Sequence, residues 1–370
     1  MDTFTHALAA AAISDCWFRK RLGRIATPFA LIAGALPDID AVTYFVSPQS
    51  AWANHRGYSH AFLVMLLVAP LLGSVGWLIS RERGERRDKS AWKWWTILAI
   101  ASLFAHTLMD LVTSWGTMPL LPFSNARISW DMAPILDIFI TSVLATSFLL
   151  NRLLRWEKVQ TFLNPLAYPV VHTHPRRRRA ADIFARIAVA LVVVYLLIGL
   201  QQNLQTVRIA REELAAAGIE AVEVRALPLM FTYISWGVVA RDAEGTVYNA
   251  LFSSYARQPM RFSRHTSTRN AETERALATP EGRLFAWYSQ NFCIAEETKD
   301  ATGRSTVNLT DRRFTNIDEP GKPRFVVQLV EETPGGTFVA KPTQMRFSEV
   351  NIREELLKLW NLTWRGSIEG

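Results

Sequence analysis

The first 200 residues contain several apolar runs long enough to form membrane-spanning helices, and this feature restricts the fold more than any other. A helix needs about 20 predominantly apolar residues to cross the hydrocarbon core of a bilayer. Five runs approach that length and one is shorter: residues 29–46, 61–79, 94–113, 135–150 and 183–200, and the shorter 4–18. The sequence therefore predicts a mainly α fold, a polytopic transmembrane bundle of five or six helices.

After residue 200 the sequence resembles that of an ordinary soluble protein. Residues 201–217 have the pattern of a helical connector that ends at Gly218. Beyond it, short alternating stretches between turn residues predict strands, and two longer stretches predict helices. The predicted strands include residues 220–224, 232–240, 247–252 and 325–330, and the predicted helices are residues 270–292 and 348–362. We therefore expect a transmembrane domain over 1–200, a connector over 201–217 and a soluble α+β domain over 218–370.

Basic residues are concentrated in three connections between the apolar runs, and this predicts the orientation of the chain. The alternate connections, around residues 47–60 and 114–134, contain only Arg56 and Arg127 as basic residues. Cytoplasmic loops carry an excess of Lys and Arg, so these two connections are expected on the extracytoplasmic side of the plasma (inner) membrane, with the C-terminal domain. The net charge of +8 is then mainly a topology signal. We expect membrane lipids and no nucleic acid as partners.

One apolar segment contains two ionisable residues, His106 and Asp110, in the stretch SLFAHTLMDLVT. Their spacing of four places both side chains on the same face of a helix. Ionisable groups in membrane segments cost roughly 2.5 to 3.5 kcal/mol each on insertion scales, and they persist when they pair or bind something. Imidazole and carboxylate groups are both metal ligands. The pair alone fits a metal site, and it also fits a structural hydrogen bond between helix side chains.

Two polar clusters precede this helix. In GALPDID, Pro37 predicts a kink or break in the helix, so that Asp38 or Asp40 can point inward as a metal ligand. The alternative is that one of these carboxylates caps a new helix. In NHRGYSH, His55 and His60 are five residues apart, a spacing that suits a loop and does not suit one helix face.

The predicted orientation places all these groups at one depth, near the extracytoplasmic face. His6 near the chain start joins them, although a lone histidine is usually a capping or core residue. Because these residues are predicted at the same depth in the membrane, they favour a single site. Its members would be His6, Asp38, Asp40, His55, His60, His106 and Asp110. Charged residues of the outer connections are candidates for contacts with substrate or with ligands, or are ordinary loop charges: Arg56, Arg127, Asp131 and Asp137.

At these residues the chain resembles the YdjM-like family of membrane-bound metal-dependent hydrolases. The matching elements, in order, are MDTFTHALAAA, GALPDID, HRGYSH, HTLMDLVTSWGT, PFSNAR and ILD, over about residues 1–150. Two departures are visible, Asn54 where relatives often have a second histidine and Ala61 where a serine is common. The resemblance implies a hydrolase that is distantly similar to zinc-dependent phospholipase C and P1-type nucleases. It marks as metal-site residues His6, Asp38, His55, His60, His106 and Asp110, with Asp40 beside them.

These observations lead us to expect an inner-membrane hydrolase whose metal-activated water attacks a phosphoester or lipid-like substrate. A ligand set of histidines and carboxylates suits zinc, and also manganese or iron. Asp40 or Asp38, if not a ligand, is the candidate base, and Arg56 and Arg127 are the candidate contacts to an anionic substrate. Two alternatives remain, a non-enzymatic membrane protein with a structural metal or polar site and a metal or ion transporter. A catalytic metal keeps an open coordination position, and a structural metal does not.

Overall fold

A computed structural model describes residues 1–82, 90–155, 175–315, 317, 323–340 and 352–368. The chain forms two compact units. The N-terminal unit contains Met1–Val42, Arg56–Trp130 and Ile135–Ile198, and the C-terminal unit contains Thr43–His55, Asp131–Pro134 and Gly199–Gly370. Two short stretches of the first 200 residues are thus counted with the C-terminal unit, and the residues predicted as a connector lie inside a long helix.

The described part of residues 1–216 is mainly helical. In chain order the α-helices are α1 (Thr3–Ile13), α2 (Arg19–Leu22), α3 (Ala26–Ala35), α4 (Pro48–Asn54), α5 (Phe62–Glu82), α6 (Ser90–Leu111), α7 (Ile138–Arg155) and α8 (Pro175–Ala216). A single π-helical segment, Ser14–Phe18, joins α1 to α2, and two 3₁₀ segments, Leu36–Phe45 and Tyr58–His60, flank α4. Pro37 lies at the start of the first 3₁₀ segment, where the sequence predicts a break.

Four of the described helices are long and apolar enough to cross a membrane, Phe62–Arg81, Ser90–Leu111, Ile138–Arg155 and Arg179–Ala216. The sequence predicts five or six transmembrane helices. The two predicted segments that are not among these four helices are residues 4–18 and 29–46. The first of these changes to a π-helix after Ile13, and the second ends its α-helix at Ala35. Their first α-helical parts have 11 and 10 residues, fewer than the roughly 20 that a spanning α-helix needs.

Small residues let α1 pack closely against α3, and α1 also contacts α6 and α7. Ala9, Ala10 and Ala11 on α1 are buried. Gly34 on α3 faces them, because a Cβ atom at Gly34 would lie 2.5 Å from the Cβ of Ala10 and 3.0 Å from the carbonyl oxygen of His6. This close approach brings the start of α1 and the end of α3 next to α6, which carries His106 and Asp110.

The C-terminal unit contains two four-stranded antiparallel sheets, in the strand orders β1-β2-β3-β4 and β5-β6-β7-β8. The strands of the first are Ala221–Pro228, Ser235–Asp242, Val247–Ser253 and Ser263–His265, and those of the second are Cys293–Lys299, Ser305–Thr315, Pro323–Glu331 and Phe338–Ala340. Three helices accompany them: α9 (Ala271–Leu277), α10 (Pro280–Tyr288) and α11 (Ile352–Arg365). The end of α8 packs on the first sheet through Ala210 and Leu214. The predicted α+β class of this region is confirmed.

We expect Gly34→Ala to destabilise the N-terminal unit. The added methyl group would overlap Ala10 and the backbone of α1, neither of which can rotate away. Overpacking of this kind typically costs about 1 to 3 kcal/mol. The measurement is the thermal unfolding midpoint of the full chain in detergent, which should fall by several degrees.

The matched control is Gly237→Ala on β2. The nearest atom to a Cβ at Gly237 is a side-chain carbon of Leu229 at 3.6 Å, which is an ordinary contact. Its midpoint should stay close to that of the wild type. Equal midpoints for both variants would show that α1 and α3 do not depend on this close approach.

Candidate metal centre

Four side chains of the N-terminal unit converge at one point. Asp38, His60, His106 and Asp110 each offer one ligand atom, and these atoms lie within 4.8 Å of one another. Asp38 comes from the 3₁₀ segment after α3, His60 from the short 3₁₀ segment before α5, and the other two from α6. Three separate elements therefore contribute to a compact group of two imidazoles and two carboxylates.

The distances within this group are short. His60 Nε2 lies 3.0 Å from His106 Nε2 and 3.1 Å from Asp110 Oδ2. His106 Nε2 lies 3.4 Å from Asp38 Oδ1 and 3.6 Å from Asp110 Oδ2. The Nε2 atoms of both rings and one oxygen of each carboxylate thus surround the same small volume.

The backbone of α3 orients the His106 ring. His106 Nδ1 lies 2.7 Å from the carbonyl oxygen of Gly34. A carbonyl oxygen only accepts hydrogen bonds, so Nδ1 carries the hydrogen. In a neutral imidazole Nε2 is then an acceptor with its lone pair pointing into the cluster. Metal-binding histidines commonly have their other ring nitrogen held in this way.

Asp40 orients the His60 ring in the same manner. His60 Nδ1 lies 3.2 Å from Asp40 Oδ2 and 2.9 Å from the hydroxyl oxygen of Ser59. That hydroxyl donates to Asp40 Oδ2 at 2.5 Å, and the backbone N–H of Arg56 donates to the same oxygen at 2.9 Å. Asp40 therefore holds the loop that carries His60, and the Nε2 atom of His60 faces His106.

Two lone pairs and two carboxylate oxygens at these distances repel one another unless a cation lies between them. Among the described residues, Asp110 Oδ2 is buried and has no hydrogen-bond donor. A buried carboxylate oxygen without a donor costs free energy, whereas a bound cation would serve as its partner. The chemistry of this donor set therefore fits a metal ion.

Arg56 lies against the other oxygen of Asp110. Its Nη2 atom is 2.8 Å from Asp110 Oδ1, its Nη1 donates to the hydroxyl of Thr113 at 2.9 Å, and its side chain is buried. Arg56 has a left-handed backbone conformation, with φ of 59°, and its carbonyl accepts a hydrogen bond from Met118 N at 2.9 Å. The guanidinium thus compensates part of the negative charge of the cluster, while the amino group of Met1 also contacts Asp110.

Asp38 is the most accessible of the four converging side chains. Its side chain is 12% exposed, whereas those of His60, His106 and Asp110 are fully buried. The hydroxyl of Thr3 donates to Asp38 Oδ2 at 2.6 Å and leaves Oδ1 toward the histidines. The side of the cluster at Asp38 is therefore its most solvent-accessible side.

His6 packs on the cluster and is not one of its four converging side chains. Its ring stacks on His106 with centroids 3.7 Å apart, and its Nε2 lies 3.2 Å from Asp110 Oδ1. His6 Nδ1 is buried, and no described residue provides a hydrogen-bond partner for it. His6 therefore lies next to the site, where it stabilises Asp110.

The remaining residues proposed from the sequence lie elsewhere. His55 belongs to the C-terminal unit, where its ring packs edge to face on Tyr44 at 5.2 Å. Arg127 donates to the carbonyl oxygen of Gly116 at 3.0 Å, next to the backbone bridge between residues 117 and 128. His55 and Arg127 are not among the four converging side chains.

Asp131 and Asp137, the other two charges of this connection, have structural partners. Asp131 forms an ion pair with Arg225, with 2.8 Å between Oδ1 and Nη2, in the C-terminal unit. Asp137 caps α7 by accepting from Ile140 N at 2.8 Å, and it accepts from the hydroxyl of Tyr195 at 2.6 Å. Both carboxylates hold elements in place.

Three supporting contacts were not predicted from the sequence. The hydroxyls of Thr3 and Ser59 and the carbonyl of Gly34 bind Asp38, Asp40 and His106. Ser59 lies inside HRGYSH next to His60, so its position offers a signal. A backbone carbonyl has no sequence signal, and Thr3 is one of many threonines in the chain.

The profile of the YdjM inner membrane protein family matches residues 1–205. The chain belongs to this family. The resemblance found in the sequence motifs is confirmed, and all four converging side chains lie within the matched residues. Together with the four apolar helices, membership in an inner membrane family identifies a membrane protein.

The uncharacterized protein YfhP of Bacillus subtilis (strain 168) is a similar relative, 26% identical over 156 residues. The match covers 38% of this chain and 43% of that protein. The chain therefore matches less than half the length of this relative. No solved structure matches the chain.

Two histidine substitutions should distinguish a histidine of the cluster from a histidine outside it. We expect the wild type to retain about one transition-metal ion per chain, as a four-ligand site would. His60→Ala removes a ligand and should lose the ion, whereas His55→Ala should retain it. The measurement is elemental mass spectrometry of the detergent-purified chain; equal metal loss in both variants would contradict this assignment.

Asp40→Asn should weaken metal binding without removing a ligand. The amide has the shape of the carboxylate but lacks its charge, so it holds the Nδ1–H of His60 less strongly. Loss of such a supporting contact typically lowers metal affinity by about 10 to 100-fold. Competition with a chromophoric chelator measures the change, with exposed Asp300→Asn as the control that should bind like the wild type.

Proposed function

We propose that this membrane protein is a metal-dependent hydrolase with its site at the extracytoplasmic face. The observation that carries the proposal is the convergence of His60 Nε2 and His106 Nε2, 3.0 Å apart, with oxygens of Asp38 and Asp110 around them. Two imidazole nitrogens and two carboxylate oxygens this close together favour a divalent cation between them. An enzyme site also needs access, and the partial exposure of Asp38 supplies it on one side.

Asp38, His60, His106 and Asp110 are the residues that would hold the ion. Nitrogen and oxygen donors without thiolate suit zinc, and they also suit manganese or iron. A metal ion in such a site lowers the pKa of bound water to about 7 and polarises the group to be cleaved. The chain itself supplies the orientation of the ligands, through Gly34, Asp40 and Thr3.

The contacts divide the proposed roles among the charged residues. Asp40 accepts two hydrogen bonds from the loop before α5, and His60 Nδ1 lies 3.2 Å from the same carboxylate oxygen, so its role is to position His60. Asp38 has a second oxygen bound only to the Thr3 hydroxyl in its described contacts and lies at the accessible side. We therefore assign ion binding to Oδ1 of Asp38 and proton transfer to the same carboxylate through Oδ2.

The two arginines also differ in role. The guanidinium of Arg56 is engaged by Asp110 and Thr113, so it balances the charge of the site and does not reach out to substrate. Arg127 is the proposed contact for an anionic substrate, because its side chain is half-buried in the loop that follows α6. A planar guanidinium suits the oxygens of a phosphate.

The substrate class that we propose is a phosphoester with a lipid-like part. Apolar side chains lie next to the ligands in sequence and are exposed: Ile39 is 67% exposed, Val42 59% and Tyr58 59%. These residues belong to the two 3₁₀ segments that carry Asp38 and His60. An apolar rim beside a polar site matches an amphipathic molecule, with its phosphate toward the ligands.

The test compares Asp38→Asn with the wild type for hydrolysis of bis(p-nitrophenyl) phosphate and of phospholipids in mixed micelles, after loading with zinc or manganese. We expect turnover by the loaded wild type and a loss of about 100-fold or more in the variant, as for removal of a proton-transfer group. Asp300→Asn, an exposed carboxylate of the C-terminal unit, should keep full activity.

Two outcomes would overturn the proposal. If the wild type binds a metal but hydrolyses none of these substrates, and X-ray absorption shows that protein atoms fill every coordination position, the site is structural. If it binds no zinc, manganese or iron, the four side chains form a hydrogen-bond network and the protein is not a metal-dependent enzyme.

A further inference from the structure

A second polar cluster lies toward the other end of the first helical segment. It contains two carboxylates and four cationic side chains: Asp15, Asp182, Arg19, Lys20, Arg152 and Arg155. These residues come from the π-helical segment, α2, α7 and α8. Asp15 follows His6 by nine residues, which is roughly 13 Å along a helix. The basic cluster is therefore separate from the metal centre.

The two carboxylates of the basic cluster are buried and lie beside cationic side chains of the protein. Asp15 accepts from the hydroxyl of Thr27 at 2.6 Å, and Arg19 Nη1 is 3.5 Å away. Asp182 lies 2.6 Å from Nη2 of Arg155 and 2.8 Å from Nζ of Lys20. Both carboxylates are 3% exposed. They fix the positions of the cations around them.

The cations outnumber the carboxylates by two. Arg19 is close enough to Arg152 and Arg155 to be repelled by both. Like charges in a partly buried site interact more strongly than in water, since the effective dielectric constant there is lower. Crowding three guanidinium groups around two carboxylates is unfavourable unless another anion shares the site.

Two of the cations have donors that a ligand can reach. The Nη2 atom of Arg152 is 4.0 Å from Asp15 Oδ2, which is too long for a hydrogen bond, and its guanidinium lies over the ring of Phe148 at 4.6 Å. The side chain of Arg152 is 32% exposed and that of Lys20 is 64% exposed. Lys20 keeps an ion pair with Asp182 at 2.8 Å, but the exposure of Lys20 and Arg152 leaves part of each cationic group accessible to a ligand.

We propose that the basic cluster binds a phosphate group, carried by an anionic phospholipid or free in solution. Arginine presents several N–H donors in a plane that matches phosphate oxygens, and lysine adds a compact charge. Arg155 is held in place, since its Nε donates to Asn151 Oδ1 at 2.7 Å. The surplus of two positive charges selects an anionic group over a zwitterionic one.

The position of the cluster favours a lipid as the source of the phosphate. Arg152 and Arg155 lie in the last turn of α7, which is one of the four helices of spanning length. Basic residues at the ends of such helices lie at the depth of the lipid headgroups, and basic pockets between helices bind anionic headgroups. The site does not depend on the proposed hydrolase function, because none of its residues belongs to the metal centre.

The experiment is native mass spectrometry of the full chain in detergent, titrated with phosphatidylglycerol or with phosphatidylcholine. We expect the wild type to retain phosphatidylglycerol preferentially. Arg152→Gln and Lys20→Gln should each lower the affinity about fivefold, the effect typical of one basic residue at an anionic headgroup. Arg152→Lys should keep most of the binding, and Arg81→Gln, at the end of α5, should bind like the wild type.

A competition with inorganic phosphate separates the two sources. If millimolar phosphate displaces phosphatidylglycerol from the wild type, the site takes the free anion; if it does not, the site takes a lipid headgroup. The proposal is overturned if both glutamine variants bind phosphatidylglycerol as the wild type does, or if phosphatidylcholine binds equally well. Lys20 is largely exposed, so Lys20→Gln keeps the test valid even if Arg152→Gln unfolds.

Discussion

The charge of Asp110, buried inside the helical unit, is the constraint on which the candidate site depends. Its side chain has no exposed surface, and an isolated charge in such a place costs several kcal/mol. The structure compensates it with Arg56 on Oδ1 and with His6 beside it. These contacts require α1 to approach α6 and require the loop before α5 to turn at Arg56, so one carboxylate determines how several elements pack.

Each of the other three side chains of the cluster is oriented by one neighbour. That neighbour can act either only as a hydrogen-bond acceptor or only as a donor in this contact. Gly34 can only accept from His106, Asp40 can only accept from His60 while it is ionised, and Thr3 donates to Asp38. In neutral rings these partners favour a hydrogen on each Nδ1 atom, which leaves both Nε2 atoms as acceptors. The supporting contacts thus determine the electronic character of the site as well as its shape.

The sequence predicted the local features of this arrangement and missed the tertiary ones. The spacing of His106 and Asp110 and the break at Pro37 are local, and β1, β2, β3 and β7 were predicted near their observed positions. β5 and β6 were missed because CIAEETK and STVNLTDRRFT alternate weakly, and the predicted helix 270–292 divides where Thr279 caps α10. The pairing of Arg56 with Asp110 joins residues 54 apart, which no local pattern reveals.

A proton and a metal ion would satisfy this cluster differently. One proton between His60 and His106 would pair the two Nε2 atoms and leave the facing oxygens of Asp38 and Asp110 without a donor. Protonation of one imidazole ring would give a hydrogen-bond donor to one carboxylate and leave the facing oxygen of the other without a donor. A divalent ion would contact all four donors at once, and it would offset more of the charge of three carboxylates, Asp38, Asp40 and Asp110, than a proton can. The geometry of the donors therefore favours a metal ion over a hydrogen-bond network.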